Sequence, residues 1–176
     1  MISRTIDEIV LDYMKTKSIA WELVDMIKAE GKPNDCVLYR GDCLYESNIA
    51  VGKRFRLWNW VASFTRDYEI SKKFSNAENA PDWYFDEREW CNDSYEYPFK
   101  HCIINQEKLE PVIIIIEPSE LIKQFCTDDF SDTFNEKEHI VNVENIEFEI
   151  VEINGKELKC KVLPLAQKTE RMNLFR

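Results

Sequence analysis

The run "PVIIIIEPS" at residues 111–119 is apolar at every position from 112 to 116. Strands that face water on one side alternate, whereas a continuous apolar run marks a strand buried on both faces. The chain must therefore supply cover above and below this strand. With 176 residues, of which 44% are hydrophobic and 12% aromatic, it has the material for a substantial core.

The segments that supply the cover are readable. Thr5 and Glu8 form a capping box, after which Ile6, Ile9, Val10, Tyr13 and Met14 recur at helical spacing. A second stripe, Ala20, Leu23, Val24 and Ile27, runs until Gly31 and Pro33 stop it. "CVLYRG" is a short strand ending on a glycine, and "KRFRLWNWVASFT" holds one strand or two short ones. "RDYEISKKFSNA" reads as a helix with Asp67 near its start and Ile70, Phe74 and Ala77 on one face, and "SELIKQF" reads as a brief helix. The last third alternates as antiparallel strands: "EKEHIVNV", "IEFEIVEI", the turn Asn154-Gly155, then "KELKCKVLP". Asn-Gly between alternating segments is a strong hairpin signal. Residues 78–109 lack a period yet carry Trp83, Tyr84, Phe85, Trp90, Tyr95, Tyr97 and Phe99. Loops of that length are commonly functional. The fold class is α+β, with helices first and a mixed or antiparallel sheet after. A single domain over 1–176 is expected, with helices in 1–31 and the core in 36–165.

Charge and cysteine usage narrow the function classes. Thirty-three acidic against 23 basic residues give a net charge of −10. That balance is poorly suited to non-specific nucleic-acid binding, which relies on Lys and Arg neutralising phosphates. Six cysteines, at 36, 43, 91, 102, 126 and 160, form no C-x-x-C pair, and His101 and His139 lie far apart. Paired zinc-ligand spacing is missing, so no metal is assigned. Cys36 with His101 lacks any local support as a nucleophile pair. No apolar signal core opens the chain, and no run approaches 18 apolar residues. No membrane element is expected, and reduced thiols in a cytosol follow.

Glutamates two positions apart occur three times, at 87/89, 136/138 and 147/149. The last pair alternates with Phe148 and Ile150 and is a polar face over an apolar one. In an extended chain Glu136 and Glu138 project from one face, about 6–7 Å apart. At an effective dielectric near 20 that costs roughly 2–3 kcal/mol of repulsion, and far less in open water. A solvated edge and a site that needs two carboxylates are both compatible with the pair taken alone.

Order distinguishes it. "LYRG" (38–41) ends a strand, "ASFT" (62–65) precedes the amphipathic "DYEISKKF", and "EKEHIV" (136–141) enters a late strand. Strand–Arg-Gly, strand–Ser-x-Thr–helix and Glu-x-Glu–strand, in that order, resemble the R-S-E class of mono-ADP-ribosyltransferases. The resemblance is to the small phage enzymes of the Mod type and to arginine-specific toxins. It implies a split two-sheet α/β core with a cleft for NAD as co-substrate, and ADP-ribose transfer with release of nicotinamide. Carried over residue by residue, Arg40 holds the NAD phosphates or adjoining ribose, and Gly41 lets the backbone bond the nicotinamide amide. Ser63 fixes the rotamer of the catalytic Glu138, with Thr65 as helper. The family more often shows Ser-Thr-Ser where this chain has Ser63-Phe64-Thr65. Glu138 stabilises positive charge developing on the ribose, and Glu136 meets a guanidinium acceptor. An aromatic that stacks on nicotinamide would come from Trp83, Tyr84 or Phe85. Phe148 falls at a core position, and His139, on the opposite face from Glu138, is expected to be packed or exposed and not a base.

The partners implied are NAD and a host protein presenting an arginine, in a host cytosol, for a phage or effector protein. Two alternatives stand beside this. One is the same fold acting on another acceptor, or on water as an NAD glycohydrolase. The other is a non-enzymatic acidic protein that blocks a basic surface, with the 1–30 helices and the 78–109 loop as docking surfaces. A degenerate transferase would be expected to lose Arg40 or Glu138, and this chain keeps both.

Overall fold

The computed structural model describes residues 4–16, 21–57, 60–75, 109–130 and 137–165. Helix α1 (Ile6–Thr16) opens on the expected capping box: Thr5 N donates to the Glu8 carboxylate at 2.7 Å, and Glu8 N to the Thr5 hydroxyl at 3.3 Å. Helix α2 (Trp21–Glu30) follows. Their stripes, Ile9, Val10, Tyr13 and Met14 with Leu23, Val24 and Ile27, pack together against Val61, Phe125 and Ile140 of the sheet.

The described strands are β1 (Lys32–Asn34), β2 (Leu38–Tyr45), β3 (Arg54–Phe55), β4 (Val61–Thr65), β5 (Leu109–Ile116), β6 (Ser119–Cys126), β7 (Glu138–Asn142), β8 (Ile146–Asn154) and β9 (Glu157–Pro164). They form a sheet in the order β1-β6-β7-β4-β2-β5-β9-β8-β3. Only β5–β9 is a parallel pair among these. The isoleucine strand β5 lies inside the ladder between β2 and β9, with Ile113, Ile114 and Ile116 buried. The hairpin closes with Asn154 paired to Glu157 and Gly155 at φ 61°. Glycine at the first central position with positive φ is what a type II′ hairpin turn requires.

A split in the sheet shows in two observations. β2 and β4 are joined through one backbone pair, Tyr39↔Thr65. Phe64 on β4 and Phe148 on β8 have ring centroids 6.4 Å apart, although β2, β5 and β9 lie between their strands. Four strand spacings laid flat would separate them by about 19 Å. The two halves therefore bend over one another. Ala62, Phe64, Ile122 and Val141 from one half close a common core with Leu38, Ile114, Phe148, Ile150 and Leu158 from the other.

The structure corrects several expectations. "SELIKQF" is strand β6, because the open edges of β1 and β7 satisfy its backbone better than an isolated two-turn helix. β2 does not end on Gly41 but continues to Tyr45. The segment 53–65 holds two short strands, β3 and β4, which is one of its two expected readings. Pro33 lies in β1 at the sheet edge, where a missing N–H is tolerated. Helix α3 (Tyr68–Phe74) is capped by Asp67, whose side chain accepts from Glu69 N and Ile70 N. Its buried residue is Ser71, while Phe74 is 55% exposed. Ala20 and Ala77 lie outside the described residues.

Candidate active site

Three motifs far apart in the chain fall on three neighbouring strands, β7-β4-β2. Tyr39 pairs with Thr65, and Thr65 with Glu138, so these three backbones form one row across the sheet. At about 4.8 Å per strand the row spans about 10 Å. Arg40 is the residue after Tyr39, and Ser63, paired with Ile140, is two before Thr65. Glu136, Trp83, Tyr84 and Phe85 lie outside the described residues.

Glu138 is the first residue of β7 and is 4% exposed. Its carbonyl accepts from Thr127 Oγ1 at 3.1 Å, and its Oε1 from Tyr13 Oη at 3.2 Å. The strand is entered through Lys137, which holds φ 46°. A non-glycine residue in this left-handed region costs about 1–2 kcal/mol and persists where its surroundings compensate. Here the Lys137 ammonium reaches the Asp67 carboxylate at 3.2 Å, tying the strand entry to the N-cap of α3. That bond, with the backbone bonds at the cap, holds the Asp67 carboxyl below its usual range. The backbone at Lys137 is therefore not extended.

Arg40 is a quarter exposed, and its guanidinium is held at two of its three nitrogens. Nε donates to Asp42 Oδ2 at 2.7 Å and Nη1 to the Ser63 carbonyl at 2.8 Å. The group lies 6.0 Å from the Phe64 ring centroid. One side chain thus bridges β2 to β4 where a single backbone pair joins them. Among the described residues Nη2 has no hydrogen-bond partner and is available to an anion, with Asp42 already offsetting part of the charge.

Gly41 is a glycine for a reason of packing. A Cβ there would lie 2.2 Å from Ser71 O, 2.4 Å from Ser75 N and 2.6 Å from Phe74 C, all main-chain atoms at the end of α3. Only a residue without a side chain lets the helix approach this closely. The Tyr39 and Tyr68 rings, edge to face at 5.5 Å, complete that contact.

Strand alternation decides which side chains meet. Ser63, Thr65, Glu138 and Ile140 share the face that α1 and α2 cover, and Gly41 faces α3. Arg40 shares the parity of Leu38 and Leu44 and lies on the face of the common core. The structure therefore brings Ser63, Thr65 and Glu138 onto one face, while Arg40 reaches them through the Ser63 main chain. Sequence reasoning missed Tyr13, Lys137 and Asp42. A tyrosine inside an otherwise aliphatic stripe was the signal for Tyr13, since a buried phenol needs a partner.

His139, on the face opposite Glu138, is packed at 3% exposure against the Gln124 side chain, which its Nδ1 contacts. With Gln124 presenting Oε1, Nδ1 carries the proton. Among the described residues its buried Nε2 has no partner. Burial, with the Arg66 guanidinium acting in the same direction, pushes the imidazole down to about 4. An unfolded histidine titrates near 6.5, so between those values the unfolded chain binds a proton that the folded chain refuses. Stability is expected to fall with pH across that window, by about 2 kcal/mol between pH 7 and 5. Denaturant unfolding at the two pH values measures the loss. One of the two imidazole NMR signals should also stay flat above about pH 5; two ordinary titrations would refute the assignment.

No protein-family model matches the sequence, and neither does any curated protein. Among solved structures, the ADP-ribosyltransferase Vis of Vibrio splendidus in complex with agmatine superposes at TM-score 0.54, covering 98% of this chain and 79% of Vis. Vis in complex with the M6 inhibitor superposes at 0.51, covering 94% of this chain and 69% of Vis. Identity is 14% in each. The fold is that of the ADP-ribosyltransferases. Within this ADP-ribosyltransferase fold, the described residues hold no group of three or more His, Cys, Asp or Glu placed to bind a metal. No described helix is long and apolar enough to cross a membrane.

Proposed function

We propose that the chain is an NAD-dependent mono-ADP-ribosyltransferase that modifies arginine side chains of proteins. The observation that carries this reading is the convergence of the Arg40, Ser63 and Glu138 segments on β2, β4 and β7 of an ADP-ribosyltransferase fold. Arg40 would offer its remaining guanidinium hydrogens to a phosphate, the anion a planar fork suits best. Gly41 would bond the nicotinamide amide through its main chain. Ser63 and Thr65 would hold Glu138, and Glu138 would stabilise positive charge on the ribose as the bond to nicotinamide breaks. Fixed charge aimed at developing charge is commonly the largest catalytic contribution. Glu136 would receive the acceptor guanidinium and take its proton. Vis has been crystallised with agmatine, itself a guanidinium compound, which favours a similar acceptor here. A phage or effector protein acting on a host protein in the host cytosol is the proposed setting, as a single domain.

Nicotinamide release from NAD, measured with and without agmatine and followed by mass spectrometry of a treated bacterial lysate, tests the reading. Glu136→Gln is expected to lose transfer to agmatine by about 10²-fold while still releasing nicotinamide to water. Transfer at the wild-type rate would remove Glu136 from the acceptor role. The near-complete burial of Glu138 favours a second reading, a non-enzymatic acidic binding protein. A wild-type chain that neither binds nor cleaves NAD would select it.

A further inference from the structure

Helix α1 does more than cover the sheet. Its stripe seats on Ile140, which follows Glu138 by two residues on the same face of β7, and on Val61 of β4. Ile9, Val10 and Met14 provide that seat and are each buried. Tyr13, 6% exposed, stands in the same stripe and directs its hydroxyl to Glu138 Oε1 at 3.2 Å. Neither group is at home in such surroundings alone. A buried phenol seeks an acceptor, and a carboxyl group 4% exposed needs donors. Each answers the other across 125 positions of sequence.

We infer that Tyr13 is a positioning residue for Glu138, holding its carboxyl group in one rotamer from the helix side, so that α1 is part of the active site. The inference rests on the transferase reading above. The anchor has the properties positioning demands. It comes from a helix with its own capping box, pinned by apolar contacts on each side of the tyrosine. A side chain held this way loses little entropy when it orients its partner, and misplacement of a reacting group by a fraction of an ångström is costly in rate. Ser63 and Thr65 approach the same face from β4, so Glu138 would be gripped from two directions.

Tyr13→Phe keeps the ring and the seat of α1 and deletes only the hydroxyl. The expected result is a 10- to 30-fold lower kcat for nicotinamide release, with KM for NAD within twofold of the wild type and an unchanged circular dichroism spectrum. A general loosening of the fold would move KM and the spectrum as well. A parallel measurement needs no activity: unfolding equilibria of Tyr13→Phe, Glu138→Leu and the double variant. If the two groups are coupled, removing one disturbs the other, and the effects of the two changes are then not additive. The double variant should therefore be about 5- to 10-fold less destabilised in its unfolding constant than the product of the single effects. Additive effects would overturn the contact, and wild-type kcat in Tyr13→Phe would overturn the positioning role. If the wild type leaves NAD intact while the unfolding effects are coupled, the transferase reading fails and the positioning role with it, leaving a structural contact.

Discussion

Glu138→Gln is expected to lower nicotinamide release from NAD by about 10³-fold or more, and transfer to agmatine with it. The amide is nearly the size of the carboxyl group and still accepts a hydrogen bond from Tyr13, so the packing at 4% exposure is preserved. What it lacks is the full negative charge. On the proposed reading nicotinamide would leave as a neutral molecule and the ribose it leaves would gather positive charge, so stabilisation in a largely dehydrated site would depend on that charge. Both reactions would fall together because bond breaking would precede the choice between water and a guanidinium. This separates Glu138 from Glu136, whose loss is expected to spare hydrolysis. Activity close to wild type in Glu138→Gln would show that the carboxyl group at the head of β7 is structural. The site would then have to be sought elsewhere on the β7-β4-β2 face.

The parts of this molecule that were legible from sequence are those in which local chemistry leaves few options. Thr5 and Glu8 cap each other within one turn, Asn154-Gly155 marks a hairpin through glycine's tolerance of positive φ, and the isoleucine run 113–116 suits only a doubly covered strand. What was misread depends on partners distant in sequence. "SELIKQF" serves as helix or strand by composition, and the edges of β1 and β7 decide for strand. Lys137 is left-handed, and its ammonium reaches Asp67, 70 positions earlier in the chain. Tyr13 fits an apolar stripe, and a partner of its hydroxyl belongs to the last third of the chain. The candidate site shows the same division. The order of the three motifs is written in the chain, but that their strands are adjacent, and that Arg40 meets Ser63 through a carbonyl, depends on how the sheet folds over.

Gly41→Ala is expected to destabilise the fold by about 3 kcal/mol or more, although it adds one methyl group. The backbone conformation is not the obstacle, since Gly41 is not among the residues with positive φ. The obstacle is main chain: the new Cβ would sit 2.2 Å from Ser71 O and 2.4 Å from Ser75 N, and no rotamer change moves those atoms. α3 would have to lift from β2, disturbing the edge contact of Tyr39 with Tyr68. Its N-cap Asp67 holds Lys137, so the lift would also be felt at the entry to Glu138. Urea unfolding of Gly41→Ala alongside its rate of nicotinamide release distinguishes two reasons for the glycine. If it serves only close approach of the main chain to nicotinamide, stability stays at the wild-type value and KM for NAD rises. If it serves the seat of α3, stability drops first and kcat follows. The second outcome is expected, because the space a side chain would need is already filled by the helix.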